Sequence, residues 1–315
     1  MSGNKGKLIN RIKDRMLLGT IYDQLILKLK YTDEKTHFLY GVMVGQKHRM
    51  ILYRRLKKKY LQRCTKERPW EKLEKVNNID TVWVMWLQGI NNAPEIVQRC
   101  IDSQKKYMPD KKFIIVTEDN VLDYVELPDY IVEKRNKGII TNAHFSDLVR
   151  NALLIKHGGY WIDSSVLFTD DELIKDIEKY PLFMYSFYYF GFNPEIMELN
   201  SWFIHSTTNN NMLCLLQEML YAYWRDYNHL CNYYLWHIFE SIVNDYYVDE
   251  YKNIPIVSQV QAHLLATYIY DAFDNDKYEL LKKYTGVHKL SIKFEKERLE
   301  KKGNFYDVVI HNRNY

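Results

Sequence analysis

The chain has 315 residues, 47% of them hydrophobic, which is ample for a buried core and excludes a disordered or fibrous protein. Only 12 Gly and 7 Pro stand against 27 Tyr, 13 Phe and 7 Trp, so collagen-like and linker-rich readings fail and the rings must be buried or used. The net charge of +4 hides an uneven split: residues 1–76 carry 20 Lys/Arg against 7 Asp/Glu, and the remainder 24 against 33, a basic arm before a mildly acidic body.

The opening MSGNKGKLINRIKDR is charged where a secretion signal needs an apolar run, and no stretch approaches 18 uninterrupted apolar residues. The expectation is a cytoplasmic protein, soluble or peripheral at the inner membrane face. Cys64, Cys100, Cys214 and Cys231 have neither CxxC spacing nor clustered His, so no zinc site or disulfide framework is indicated.

From Leu8 to about Lys66, apolar residues recur at three- and four-residue steps and predict two or three helices. The cluster Arg54, Arg55, Lys57, Lys58 and Lys59 has two readings. It is the solvated face of packing helices, or it is held against an anionic membrane surface, where each nearby cation contributes about 1 kcal/mol. Nucleic acid is not an expected partner, because the acidic body opposes a phosphate-tracking groove.

The pattern changes at Asp80. TVWVMWLQG reads as a strand, NNAPEIVQRCIDSQKKYMPD as a helix with Pro94 in its first turn and Pro109 past its end, and KKFIIVTEDN as a second buried strand. Strand, helix and strand at this spacing form a βαβ unit with parallel strands. In ITNAHFSDLVRNALLIKHGGYWIDSSVLF, Thr141 or Asn142 caps a helix running to about His157, Gly158-Gly159 stops it, and Tyr160 to Phe168 returns as one strand. Asp147 and Arg150 are neighbours on the helix, off the stripe formed by Phe145, Leu148, Val149 and Ala152. A two-residue period puts Trp161, Asp163, Ser165 and Leu167 on one side of the strand, with Asp163 early in it. Downstream, EKYPLFMYSFYYFGFNPE predicts strand and loop, ELNSWFIHS a strand, and NNNMLCLLQEMLYAYWRDY a helix; short β-like runs close the chain.

The expected fold is therefore α/β: an open sheet with helices on both faces over residues 77–315, preceded by a basic α-helical extension over 1–76. Such a sheet binds ligands at the carboxyl ends of its strands. A carboxylate next to a hydroxyl after a glycine turn suits a hard divalent cation. The absence of GxxxxGK[ST] and GxGxxG leaves P-loop and dinucleotide chemistry without support, and that of GxSxG and HExxH removes the usual hydrolase and zinc protease signatures.

AHFSDLVRNALLIKHGGYWIDSSV resembles the SDLLR and GG-x-W-x-D segment of the capsular polysaccharide synthesis family of sugar transferases, relatives of the retaining DXD mannosyl- and glucosyltransferases. VWVMWLQGINNAPEIVQRCIDS and ELNSWFIHSTTNNNML are similar to its opening and later segments, so the resemblance runs from about Trp83 to Asn211, with a weaker match near His288. It implies a GT-A-like, Rossmann-like sheet binding a nucleotide-diphosphate sugar, most simply a UDP-sugar, with Mn2+ or Mg2+ on the diphosphate. Transfer would go to a capsular-type glycan or its lipid-linked precursor, with retention at the anomeric carbon. Trp86 would then stack on the base, Asn120 lie near base or ribose, and Asp147 bind sugar hydroxyls. Arg150 would reach sugar and diphosphate, Lys289 the diphosphate, and Asp163 would be the first acidic residue of the DXD motif.

Ser165 stands where that motif's second Asp is expected, so the metal site is weakened unless His288 joins Asp163 and Ser165 as a ligand. Each assignment has a plainer rival. Trp86 is a core residue, Asp147 and Arg150 are a surface ion pair, His288 is a surface residue, and Asp170 and Asp171 are loop charges. At the level of the whole chain, the rivals are a non-catalytic glycosyltransferase-like subunit for membrane docking or assembly, and an anion-binding module dominated by the basic arm.

Overall fold

The computed structural model describes residues 17–30, 33–187 and 196–315. The opening charged segment and the end of the aromatic run, residues 188–195, lie outside the described residues.

Helices α1 (Leu17–Lys30) and α2 (Glu34–Cys64) lie in the basic N-terminal stretch. Asp33 caps α2 by accepting from the Thr36 amide at 3.0 Å. Buried Asp23 ties the two helices together, accepting from Lys47 at 2.9 Å and facing His48 Nε2 at 3.0 Å. Leu52, Leu56, Tyr60 and Cys64 recur every four residues and bury one face of α2 in the same core as Tyr223 and Phe239 of the body. The arm and the body therefore share a core across the boundary at residue 76. The basic cluster contributes to this seam: Lys57 pairs with Asp245 at 2.5 Å, Lys59 with Asp226 at 2.9 Å, and Arg63 with Asp226 at 3.2 Å. Among the described residues, no helix is long and apolar enough to cross a membrane.

The body follows as β1 (Thr81–Met85), α3 (Glu95–Tyr107), β2 (Lys112–Val116), α4 (Asp129–Asn136), α5 (Asn142–His157), β3 (Gly159–Ile162) and β4 (Val166–Phe168). Then come α6 (Glu172–Ile177), β5 (Leu182–Ser186), β6 (Leu199–Ser206), α7 (Asn211–Asp226), α8 (Leu235–Tyr246), α9 (Asn275–Tyr284) and β7 (Val287–Lys289). The main sheet has the order β2-β1-β3-β6-β5. β1 is parallel to both β2 and β3, as the βαβ reading requires, while β6 runs antiparallel to β3 and β5. Along β1, Trp83 and Met85 enter one core, which includes Leu148 and Leu153 of α5, whereas Val82 and Val84 enter another with Val97 and Ile101 of α3. Alternation thus buries both faces of the strand, and helices cover both sides of the sheet.

Thr141 is the residue that caps α5, accepting from the His144 amide at 3.4 Å. Gly158 and Gly159 end the helix with φ of +67° and +92°, and a Cβ on Gly159 would lie 2.4 Å from the Thr81 carbonyl oxygen. Only glycine lets β3 start this close to β1. One expectation fails here: the strand expected from Tyr160 to Phe168 breaks after Ile162. The Asp163 amide donates to Trp202 O at 2.9 Å, and the Val166 amide turns back onto Asp163 O at 3.1 Å. β4 then leaves the main sheet and pairs antiparallel with β7. From beneath, the Gln104 side chain of α3 donates to Val166 O at 2.8 Å and to Asp163 O at 3.3 Å, fixing the turn. Asp163 therefore sits just beyond the carboxyl end of β3 and not early in a longer strand.

Candidate functional site

From β1 the chain crosses to β2 on one side, and from β2 it returns to β3 on the other, so the strand order switches between β1 and β3. An open cavity of about 570 Å3 lies there, lined among others by Trp86, Asp147, Arg150, Asp163, Ser165 and Lys289. Six of the eight sequence-predicted site residues meet in it.

Arg150 is the organising cation, only 6% exposed. Its guanidinium donates to the carbonyl of Ser201 on β6 and to Ser146 Oγ at 3.3 Å, and lies 3.3 Å from Asp147 Oδ1 and 3.9 Å from Asp163 Oδ1. It also stands 4.9 Å from the centre of the Trp161 ring. A buried, fully engaged fork of this kind is not the surface ion pair of the plainer reading. Asp163 accepts from Trp161 Nε1 at 3.0 Å on one oxygen and from Lys289 Nζ at 2.8 Å on the other. Lys289 also donates to Ser165 Oγ at 2.8 Å. Burial pushes the Asp163 carboxyl up, but Lys289 and Arg150 outweigh it and hold the group below its ordinary value. At Asp147 burial prevails over Arg150 and, with help from the Asp163 charge, raises the carboxyl to about 7.

Two predicted residues are elsewhere. Asn120 is absent from the cavity wall because its amide is spent on its own turn, accepting from the Thr117 amide at 2.8 Å and donating to Ile115 O at 3.0 Å. His288 is fully buried on the other face of β7, with Nε2 3.1 Å from Thr169 Oγ1, and burial lowers it to about 4. Successive residues of a strand point to opposite faces, so a β7 that brings Lys289 to Asp163 takes His288 away from it. His288 is accordingly corrected from a metal ligand to a core residue. Trp86 lines the cavity half-buried, and its indole N–H has no hydrogen-bond partner among the described residues. Ser201, Tyr233, His237 and Lys293 also line the cavity, and none of them is a sequence-predicted site residue. Ser201 lies inside the ELNSWFIHS run, the one signal that points toward it.

The donor set does not fit the divalent ion expected at Asp163 and Ser165. A hard dication is held by several oxygens at about 2.0–2.6 Å. Here a single carboxylate faces one hydroxyl, and the space between Asp163 Oδ2 and Ser165 Oγ is taken by the Lys289 ammonium at 2.8 Å from each. Asp147, the other carboxylate, makes its ion pair with Arg150, and among the described residues no group of three or more His, Cys, Asp or Glu has metal-binding geometry.

The model of the family described as capsular polysaccharide synthesis protein matches residues 34–309. The chain belongs to that family. The match begins at the start of α2, upstream of the first strand where the motif resemblance starts, so it takes in the arm from residue 34 onward. No curated protein matches the chain. Among solved structures, it is similar to one titled "PaToxG Glycosyltransferase", at 14% identity over 65% of this chain and 80% of that one, with a TM-score of 0.32.

Proposed function

We propose that this member of the capsular polysaccharide synthesis family is a glycosyltransferase that moves a sugar from a nucleotide-diphosphate sugar, most simply a UDP-sugar. The acceptor is a capsular-type glycan or its lipid-linked precursor. The observation that carries the reading is the meeting of Arg150 and Lys289 on Asp163 at the carboxyl ends of parallel strands, beside Trp86. With Lys293, three cations line the cavity against Asp163 and an Asp147 whose raised carboxyl carries only part of a charge near neutrality. That surplus of positive charge suits a diphosphate and the charge it gains on leaving.

The Trp86 ring supplies a stacking face for the base, and Asp147 a hydrogen-bonding group for sugar hydroxyls. In the transfer, the bond between the anomeric carbon and the diphosphate oxygen breaks with its electron pair on the diphosphate. The acceptor hydroxyl oxygen bonds to that carbon, and its proton passes to solvent. Retention at the carbon is the stereochemistry that the resemblance carries.

Slow hydrolysis of the donor needs no known acceptor, so a panel of nucleotide-diphosphate sugars offered to the full chain tests the proposal. At least one member should be hydrolysed and should raise the melting temperature. Asp163→Ala should abolish that hydrolysis while the protein stays folded, because it releases Lys289 from its anchor and removes the carboxylate beside Arg150. A panel that neither reacts nor stabilises, or an Asp163→Ala variant with the wild-type rate, refutes the reading.

A further inference from the structure

We infer that the ammonium group of Lys289 takes the place of the divalent cation in this site, so that donor turnover proceeds without a metal ion. The inference rests on the nucleotide-sugar reading for its substrate, but its geometry stands on its own. Lys289 Nζ is 2.8 Å from Asp163 Oδ2 and 2.8 Å from Ser165 Oγ, the two side chains at the ends of the Asp163-Ser164-Ser165 turn. A dication coordinated by both oxygens would have to occupy the same point, and beside a fixed ammonium it would meet strong like-charge repulsion. The turn is rigid from below through Gln104, and Lys289 is held from the side because Leu290 N donates to Ser165 O at 2.9 Å, continuing the pairing of β4 with β7. The lysine is thus delivered by a strand register, not by a wandering surface side chain, and its side chain is only 17% exposed.

Charge balance leads to the same conclusion. A site with two carboxylates needs a dication before it attracts a diphosphate. Here the turn carries a single carboxylate, Asp163, already matched by Lys289, and the other carboxylate of the cavity, Asp147, is matched by Arg150. An ammonium has three donors; two are spent on Asp163 and Ser165, and the third remains for a phosphate oxygen. Ser165 is then no defect in a metal motif. A hydroxyl there accepts the lysine without adding a second negative charge that would trap it.

The test uses the full chain, stripped with EDTA and desalted. Calorimetric titration with Mn2+ should show no saturable binding tighter than about 1 mM, the weak end for oxygen-ligand sites. Donor hydrolysis in EDTA and in Mn2+ should agree within about twofold, and Lys289→Met should slow it by roughly 100-fold, as removal of one charge-stabilising donor does. The double variant Lys289→Ala with Ser165→Asp frees Asp163 and adds a second carboxylate, so it should bind Mn2+ at least about tenfold more tightly than wild type. Micromolar Mn2+ binding by the wild type overturns the inference whether or not any donor is ever turned over. Hydrolysis that requires Mn2+ also overturns it, while leaving the transferase reading in place. If no nucleotide sugar reacts or stabilises the protein, the transferase reading fails and the metal titration alone decides the role of Lys289.

Discussion

Asp147 and Asp163 flank one guanidinium, and their surroundings push them in opposite directions. Asp163 has Lys289 as well as Arg150 and is held in its charged form; Asp147 has Arg150 and the repulsion of Asp163, and burial raises it from 3.8 to about 7. The raised group binds a proton in the folded protein that the unfolded chain has already lost. Its contribution to stability is therefore complete below pH 3.8 and disappears as pH rises through about 7, a change on the order of a few kcal/mol. Asp147→Asn keeps the neutral form at every pH. The melting temperature of the variant minus that of wild type should thus grow between pH 4 and 7 and then level off. A difference that stays constant across that range would mean that Asp147 titrates as an ordinary carboxyl.

At the scale of elements, α2 shows how charge and burial divide the work of docking. Lys59 and Arg63 meet Asp226, and Lys57 meets Asp245, but these pairs lie at the surface, where each contributes about 0–1 kcal/mol. Tyr60 is fully buried against Tyr223 and Phe239, and its hydroxyl donates to Asp226 at 3.0 Å. Removing a buried ring of this size costs about 3–5 kcal/mol. Tyr60→Ala should accordingly lower the midpoint of denaturant unfolding sharply, while Lys58→Ala, at an exposed position, should change stability by no more than about 0.5 kcal/mol. Equal effects of the two would show that the arm is held by charge. Within the basic cluster, Lys57 and Lys59 pair with carboxylates of the body, while Arg54, Lys58 and Lys59 are exposed.

At the scale of the whole molecule, five histidines are held toward the neutral form: His144, His205 and His288 are buried, and His237 and His263 are half-buried. Burial lowers His144, His205 and His288 to about 4 and His237 to about 3, against 6.5 in an unfolded chain. Between those values the unfolded state binds protons that the folded state refuses. Stability from these groups is complete above pH 6.5 and is lost as pH falls toward 4. For each histidine, every tenfold loss of proton affinity on folding corresponds to about 1.4 kcal/mol. The raised carboxyls of Asp147, Asp170 and Glu240 act in the opposite sense over this window, three groups against five histidines. Against a typical total of about 5–15 kcal/mol, the protein should unfold cooperatively on acidification before pH 4, as followed by near-ultraviolet circular dichroism. An unchanged near-ultraviolet signal at pH 4 would refute the prediction.

Local features are what the residue order settles unaided. Alternation in TVWVM, the three- and four-residue steps of α3 and α5, the Thr141 cap and the glycine stop are each set by neighbours along the chain, and they place β1, α3, β2, α5 and β6 close to where they stand. The family resemblance adds Asp147, Arg150 and Asp163, which do share a cavity. Contacts distant in sequence govern the rest. Period-two reading continues through Asp163 because nothing local marks the break; the turn exists because Gln104, Trp202 and β7, all far along the chain, take the hydrogen bonds of that segment. The same register sends His288 into the core and Lys289 to an aspartate 126 residues earlier. Side-chain direction within one strand follows from a period of two, but which charge meets which across the chain depends on how the buried faces close, and no periodicity carries that information.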